Sequence, residues 1–200
     1  MVIENHKRYL ERITLYKNFG YDIEGERKFI IEKTQPIYGD ILEVGTGKGY
    51  FAIELAKKGY KFRSVDISKD EQELARLNLE YFGLEKQVDF KIEDAENLSF
   101  EDKEFDIIFS VNMFHHLENP FKVINELTRV TSFEGKIILS DFSKEGLELV
   151  DKVHKSEGRV HPAGIFNLND IAKFLLDKKF RIEKHRSKFQ EVIIVCQPNI

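Results

Sequence analysis

Apolar positions along the 200-residue chain change their period near Gly39. Before it, Tyr9, Ile13 and Tyr16 recur at helical spacing, and a break follows at Asn18, Phe19 and Gly20. A second helical run covers residues 22–34 and ends before Pro36. After Gly39, short apolar runs alternate with amphipathic ones. Residues 40–44, 61–67, 88–92, 105–111 and 136–140 read as strands. Between them, Phe51, Leu55 and Ala56, then Leu74, Leu77 and Tyr81, then Val123, Leu127 and Val130, and finally Leu147 and Val150 mark the inward stripes of helices. Ser68 with Glu71 suits a capping box, Gly83 a C-terminal cap, and Asn119-Pro120 an N-cap followed by the first helical residue. Strands alternating with helices predict a mostly parallel sheet covered on both faces. The end differs: a helix over residues 169–177 precedes strands at 180–185 and 191–196, joined by a short turn and therefore antiparallel if paired. The pattern predicts one α/β domain over residues 1–200, with residues 1–37 as a helical lid or extension within it.

Composition narrows the function classes. The net charge is -4 and the pI about 5.9, so no general basic field points to nucleic acid. The basic stretch at 178–188 reads as the wet face of an edge hairpin, where lysine discourages edge-to-edge association. A single cysteine, Cys196, permits no internal disulfide and suits a reducing compartment. Apolar runs are strand-sized, too short to span a bilayer, and the opening residues are too charged for a signal peptide. A cytoplasmic protein is expected. A homodimer is compatible with this composition, and no metal cluster is expected.

The chemistry concentrates in Glu43-Val44-Gly45-Thr46-Gly47-Lys48-Gly49, between the first strand and its helix. Glycines let the backbone turn sharply and approach a ligand, and a helix N-terminus offers free N–H groups to an anion. Asp66 ends the second strand about 20 residues after the first glycine, where a carboxylate grips the ribose hydroxyls of an adenosine cofactor. A dinucleotide fingerprint wants its third glycine at position 50; that residue is Tyr50, and the third glycine is Gly49. The loop suits a smaller anion, such as the carboxylate of a methionyl group, better than a pyrophosphate.

At this point the sequence resembles class I S-adenosyl-L-methionine (SAM)-dependent methyltransferases, in the subgroup that includes ubiquinone/menaquinone-type C-methyltransferases. The resemblance runs from Tyr38 to the C-terminus. The family's first motif is matched by ILEVGTGKG, residues 41–49, which implies cofactor contacts from Glu43, Gly45, Thr46, Gly47 and Gly49. Its ribose-binding acid corresponds to Asp66, with Ile67 beside the adenine. Its third segment is matched by EDAENLSFEDKEFDIIFS, residues 93–110, where Asp94 would accept from the adenine amino group and Ala95 add a backbone donor. Its fourth is matched by SVNMFHHLENP, residues 110–120, which implies backbone of Ser110, Val111 and Asn112 beside the methionyl part. Departures occur at Ser99, at RVTSFEG (residues 129–135), where only Gly135 keeps the family's turn, and at Lys179-Phe180. The resemblance implies a Rossmann-like three-layer sandwich, SAM as cofactor, S-adenosyl-L-homocysteine (SAH) as product, and a small-molecule methyl acceptor.

Methyl transfer from a sulfonium requires mainly alignment and exclusion of water, with a general base only if the acceptor must lose a proton. His115 and His116 follow the fourth strand, where the family places residues near the methyl group. Adjacent residues cannot both point inward, so if His116 fixes the loop, His115 faces the site. Residues 153–166 read as an insertion roofing the acceptor pocket, with His154, Arg159 and His161 as candidates for an anionic acceptor or a base; a solvated loop is the plainer alternative. Tyr16, Phe19 and Tyr21 cluster at the junction of the first two helices, as a lid over the cofactor and acceptor or as plain core. The rivals are a non-catalytic SAM-binding regulatory module, an RNA methyltransferase and an NAD-dependent oxidoreductase. The last lacks both the glycine at position 50 and a hydride-transfer dyad.

Overall fold

The computed structural model describes residues 1–160 and 166–198. Two helices, α1 (Val2–Asn18) and α2 (Ile23–Lys33), precede an alternation of β1 (Ile41–Val44), α3 (Tyr50–Lys57), β2 (Phe62–Asp66), α4 (Lys69–Tyr81) and β3 (Val88–Ile92). The chain continues through β4 (Phe105–Val111), α5 (Pro120–Val130), β5 (Thr131–Phe142), α6 (Lys144–Ser156), α7 (Leu168–Asp177), β6 (Arg181–Arg186) and β7 (Gln190–Cys196). The strands form one sheet in the order β3-β2-β1-β4-β5-β7-β6. The first five are parallel; β7 runs antiparallel to both β5 and β6. The Rossmann-like sandwich with its C-terminal hairpin is therefore present. None of the described helices is long and apolar enough to cross a membrane.

Side-chain alternation along β4 explains the layers. Ile107 and Phe109 pack under the helices of one face with Phe51, Leu55 and Leu79, while Ile108 packs under the other with Val123, Leu127, Ile171 and Leu175. Both isoleucines are fully buried, and each contributes about 1.5–3 kcal/mol by leaving water. A third cluster joins Tyr16, Tyr21 and Ile23 to Leu149, Val150 and Val153 of α6, so the N-terminal helices are tied to the far end of the sheet.

Several expectations are corrected or refined. The inner face of α4 is Gln72, Ala75, Asn78 and Leu79, whereas Tyr81 is 46% exposed. The stripe is rotated because α4 is covered from outside by α1: Asn5 Nδ2 donates to Asn78 Oδ1 at 2.8 Å, and His6 stacks on Tyr81 with ring centroids 3.4 Å apart. Asn119 is the N-cap residue of α5 and Pro120 its first residue, as expected, but the Asn119 side chain makes no capping bond. RVTSFEG forms no loop; α5 runs straight into β5, and an irregular register between Phe105 and Ile107 absorbs the difference. Phe19 is 38% exposed and stands outside the Tyr16–Tyr21 cluster. The residues read as a roof over the pocket are partly helical, since α6 continues to Ser156.

Gly49 shows how closely α3 meets α4. Its φ is +81°, and an added Cβ would stand 2.9 Å from Ala75 Cβ and 3.2 Å from Ala75 Cα. The third glycine thus serves helix packing as well as the turn. Gly49→Ala is expected to lower unfolding free energy by about 1–3 kcal/mol in denaturant titration. Ala75→Gly added to it should restore the part due to the collision and leave the part due to the left-handed backbone; no recovery would show that contact with α4 does not matter.

Candidate functional site

The strand order reverses between β1 and β4, so the loops leaving their C-terminal ends diverge and open a crevice. Two cavities occupy it. The wider, of about 700 Å³, is lined by Asp66, Ile67, Asp94, Ala95, Met113 and Leu117 among others. The narrower, of about 280 Å³, is lined by Tyr16, Tyr21, Arg27, Tyr50, Val111 and Phe142 among others. Gly45, Gly47, Asn112 and His116 line both, so the two form one cleft pinched at the glycine loop.

Asp66 organises the loop. Gly47 N–H donates to its Oδ2 at 2.7 Å and Ser68 N–H to its Oδ1 at 2.8 Å. Each oxygen keeps a further lone pair for a ligand. Gly45 and Thr46 N–H both donate to Val65 O, and Gly49 N–H to Thr46 O. The expectation that free loop amides greet an anion is therefore not met at these four residues, because closing the turn uses them. Gly47 contributes space instead: at φ +50° nothing lies within 4 Å of where its Cβ would be.

Beneath the loop, Glu43 is 1% exposed. Ser64 Oγ donates to its Oε2 at 2.5 Å, and Thr46 Oγ1 lies 2.6 Å from Ser64 Oγ. Thr46 thus acts through this hydroxyl relay. Burial pushes the Glu43 carboxyl up to about 8, against the opposing effect of Ser64.

Two polar groups face the narrower cavity without a full set of partners. Arg27 is 7% exposed and donates to Tyr21 Oη at 3.2 Å; among the described residues it forms no ion pair. Tyr21 Oη also accepts from Gln190 Nε2 at 2.8 Å, which fixes both side chains. Buried cations are ordinarily paired; Arg27 shares its cavity with Glu43, whose carboxyl feels its charge, and could hold an anionic group there. Asn112 adopts φ +56°, and its buried Oδ1 has no hydrogen-bond partner. Arg27 was missed in the sequence because it sits in a helix as charged as any solvated one.

Of the two candidate histidines, the structure brings only His116 to the cleft. His115 is 5% exposed; its N–H donates to Asp141 Oδ2 at 2.9 Å and its Nδ1 lies 2.5 Å from Asp141 Oδ1. It lines neither cavity. His116, its ring centroid 3.9 Å from that of His115, lines both. Asp141 holds the turn from backbone and ring together, which sends His115 inward and leaves His116 at the cleft.

The other candidates disperse. Ser110 is fully buried and, like Gly49, lines neither cavity. His154 is half-buried in α6, 3.3 Å from Arg12 Nη2. Arg12 Nη1 also reaches both carboxylate oxygens of Glu157 at 2.6 Å, clasping α1 to the end of α6. Arg159 is exposed and lines a neighbouring groove. His161 lies outside the described residues. No group of three or more His, Cys, Asp or Glu among the described residues is placed to hold a metal ion.

Comparison with known proteins adds a family. Residues 42–139 match the model of a family described as a methyltransferase domain. The chain is 23% identical over 182 residues to the ubiquinone biosynthesis O-methyltransferase of Xanthomonas axonopodis pv. citri (strain 306), covering 84% of this chain and 75% of that protein. It is 28% identical over 109 residues to the norajmaline N-methyltransferase of Rauvolfia serpentina, covering 54% of this chain but only 37% of that one. Its fold matches the crystal structure of a SAM-dependent methyltransferase from Aquifex aeolicus with a TM-score of 0.67 at 21% identity, over 84% of this chain and 88% of that one.

The raised Glu43 carboxyl makes stability depend on pH. Above about 4.5 the unfolded chain loses this proton while the folded chain keeps it, so the free protein loses stability up to about pH 8 and none beyond from this source. Glu43→Gln should flatten that part of the profile in urea titrations across the range. Parallel profiles for the two proteins would mean that Glu43 is ionised in the fold.

Proposed function

The chain carries a class I SAM-dependent methyltransferase domain, and from that premise we propose that it methylates an oxygen or nitrogen of a small-molecule acceptor, with the donor lying across the pinch of the cleft. SAM is the methyl donor and SAH the product. One observation carries the assignment of parts: carboxylates at Asp66 and Asp94 line the wide arm, while a buried cation at Arg27 and an unpartnered oxygen at Asn112 meet at the narrow one. That order matches a nucleoside joined to an amino acid. Asp66 would accept from the ribose hydroxyls, and Asp94 with the backbone of Ala95 would meet the adenine edge over Ile67. Asn112 Oδ1 would accept from the ammonium, and Arg27, held by Tyr21, would take the carboxylate.

SAM supplies a methyl group on a sulfonium, which leaves as a neutral thioether. The protein aligns the acceptor with that carbon and excludes water. Residues 1–37 serve as the lid, since Tyr16, Tyr21 and Arg27 wall the narrow cavity. His116 is positioned to take the acceptor's proton as the new bond forms, and the His115–Asp141 pair holds it there. An acceptor between Tyr16, Phe142 and His116 would be reached from the α1 side. The protein is read as cytoplasmic, a setting that suits its single cysteine. In a homodimer each copy would keep a complete cleft, since one chain supplies all of the lining described.

Asp66→Ala is expected to weaken SAM binding by about 10- to 100-fold, the effect of losing hydrogen bonds to a charged group. His116→Ala is expected to leave SAM affinity nearly unchanged and to lower kcat by about 100-fold or more. Calorimetry and a methyl-transfer assay separate the two. Unchanged SAM affinity in the first variant would remove Asp66 from the ribose site; unchanged kcat in the second would reduce His116 to a wall residue.

A further inference from the structure

The cleft has a third arm. Beyond Tyr50 a groove of about 310 Å³ runs along α1 and α4 to the end of α6. Arg12, Lys48 and Tyr50 line both this groove and the narrow cavity, so the two connect past the Tyr50 ring. Tyr9 and Tyr50 form a stacked pair on its wall, with ring centroids 5.2 Å apart.

Charge divides the arms sharply. The wide arm is lined by carboxylates, including Asp66, Glu93, Asp94, Glu96 and Glu118, with no Lys or Arg. The groove is lined by Arg8, Arg12, Lys48 and Arg159, against Glu157 alone. This local excess of cations stands out in a chain whose net charge is -4. Glu157 is shared between Arg12 and Arg159. Among the described residues Lys48 pairs only with Glu71, at 3.9 Å and with both side chains over 40% exposed, a pairing worth little. Arg8 forms no ion pair among the described residues. One carboxylate therefore serves most of the groove's positive charge.

We propose that this groove is the anion subsite of the methyl acceptor: the acceptor carries an acidic group, a carboxylate or a phosphate monoester, that lies among Arg8, Arg12 and Lys48 while its nucleophilic atom reaches the narrow cavity beside His116. The assignment rests on the reading that the donor lies across the pinch. Arg8 offers a forked donor that matches either oxyanion and Lys48 a mobile ammonium, while Arg12, held by Glu157 and Tyr16, adds its charge at the inner end. A flat acceptor passes the Tyr9–Tyr50 rings on the way in. The groove's excess of positive charge favours an acidic group there and disfavours the cationic donor at that end. Electroneutral analogues of the acceptor are rejected because they leave the arginines without the oxyanion.

The test uses the full chain saturated with SAH and titrated, at low salt, with benzoate, phenyl phosphate and benzamide, followed by ligand-observed NMR. At least one of the two anions is expected to bind about tenfold more tightly than benzamide, the size of effect expected for a charge-assisted contact. The tighter of the two identifies the acidic group as carboxylate or phosphate. Arg8→Gln and Arg12→Gln should each remove most of that preference. Arg8 is exposed and lines neither arm assigned to the donor, so Arg8→Gln should leave SAH affinity within about twofold of the wild type, the change expected at a rim charge; it keeps the test sound if Arg12→Gln loosens α1. Equal binding of benzamide and the anions, binding of none of the three, or an anion preference that survives both substitutions would overturn the proposal. Failure of the wild type to bind SAH would instead bring down the reading of the donor site, and the subsite with it.

Discussion

Asp66 holds two separate pieces of backbone. One carboxylate oxygen accepts from Gly47 in the turn between β1 and α3, and the other accepts from Ser68 at the start of α4. Both helices therefore begin at fixed heights above neighbouring strands, where the strand order reverses and the sheet opens. Gly49 can approach Ala75 only because that turn is closed, and Glu43 is sealed beneath it. A carboxylate that braces the loop and keeps lone pairs towards the cleft joins the fold to the site. The amides of Gly45, Thr46, Gly47 and Gly49 are spent on the loop itself, so they leave anion binding to other groups.

One such group comes from a different part of the chain. Arg27 is buried at the base of the N-terminal helices, and Tyr21 holds it through a phenol oxygen that Gln190 of β7 also engages. The first helices and the last strand thus meet at one hydrogen-bond centre. Arg12 adds a second tie, from α1 to the end of α6. The narrow cavity exists because these long-range contacts hold α1, α2 and α6 over the ends of β4 and β5. Its polar groups are supplied by elements distant in sequence.

Periodicity carried the sheet well. β3 and β4 fall where alternation puts them, and the antiparallel end follows from two strands too close in sequence to cross over. The glycine loop and Asp66 were legible because their chemistry is local and their spacing is fixed by one βαβ unit. What lay outside that reach were relations between distant residues. The stripe of α4 was misread because α1 covers its outer face, which no pattern within α4 reveals. The choice between His115 and His116 stays open in the sequence because the partner that decides between them, Asp141, lies on the next strand. Arg27 carried no signal, since a buried cation and a solvated one look alike in sequence.

The central claim is that the cleft between β1 and β4 holds an adenosine donor ending in an amino acid. Calorimetric titration of the full chain with SAM, with NAD as control, tests it most directly. The account predicts saturable binding of SAM at one site per chain and none of NAD. Binding of NAD without SAM would contradict it, because Tyr50 at the position of a third glycine and Arg27 at the narrow end would then have been misread together.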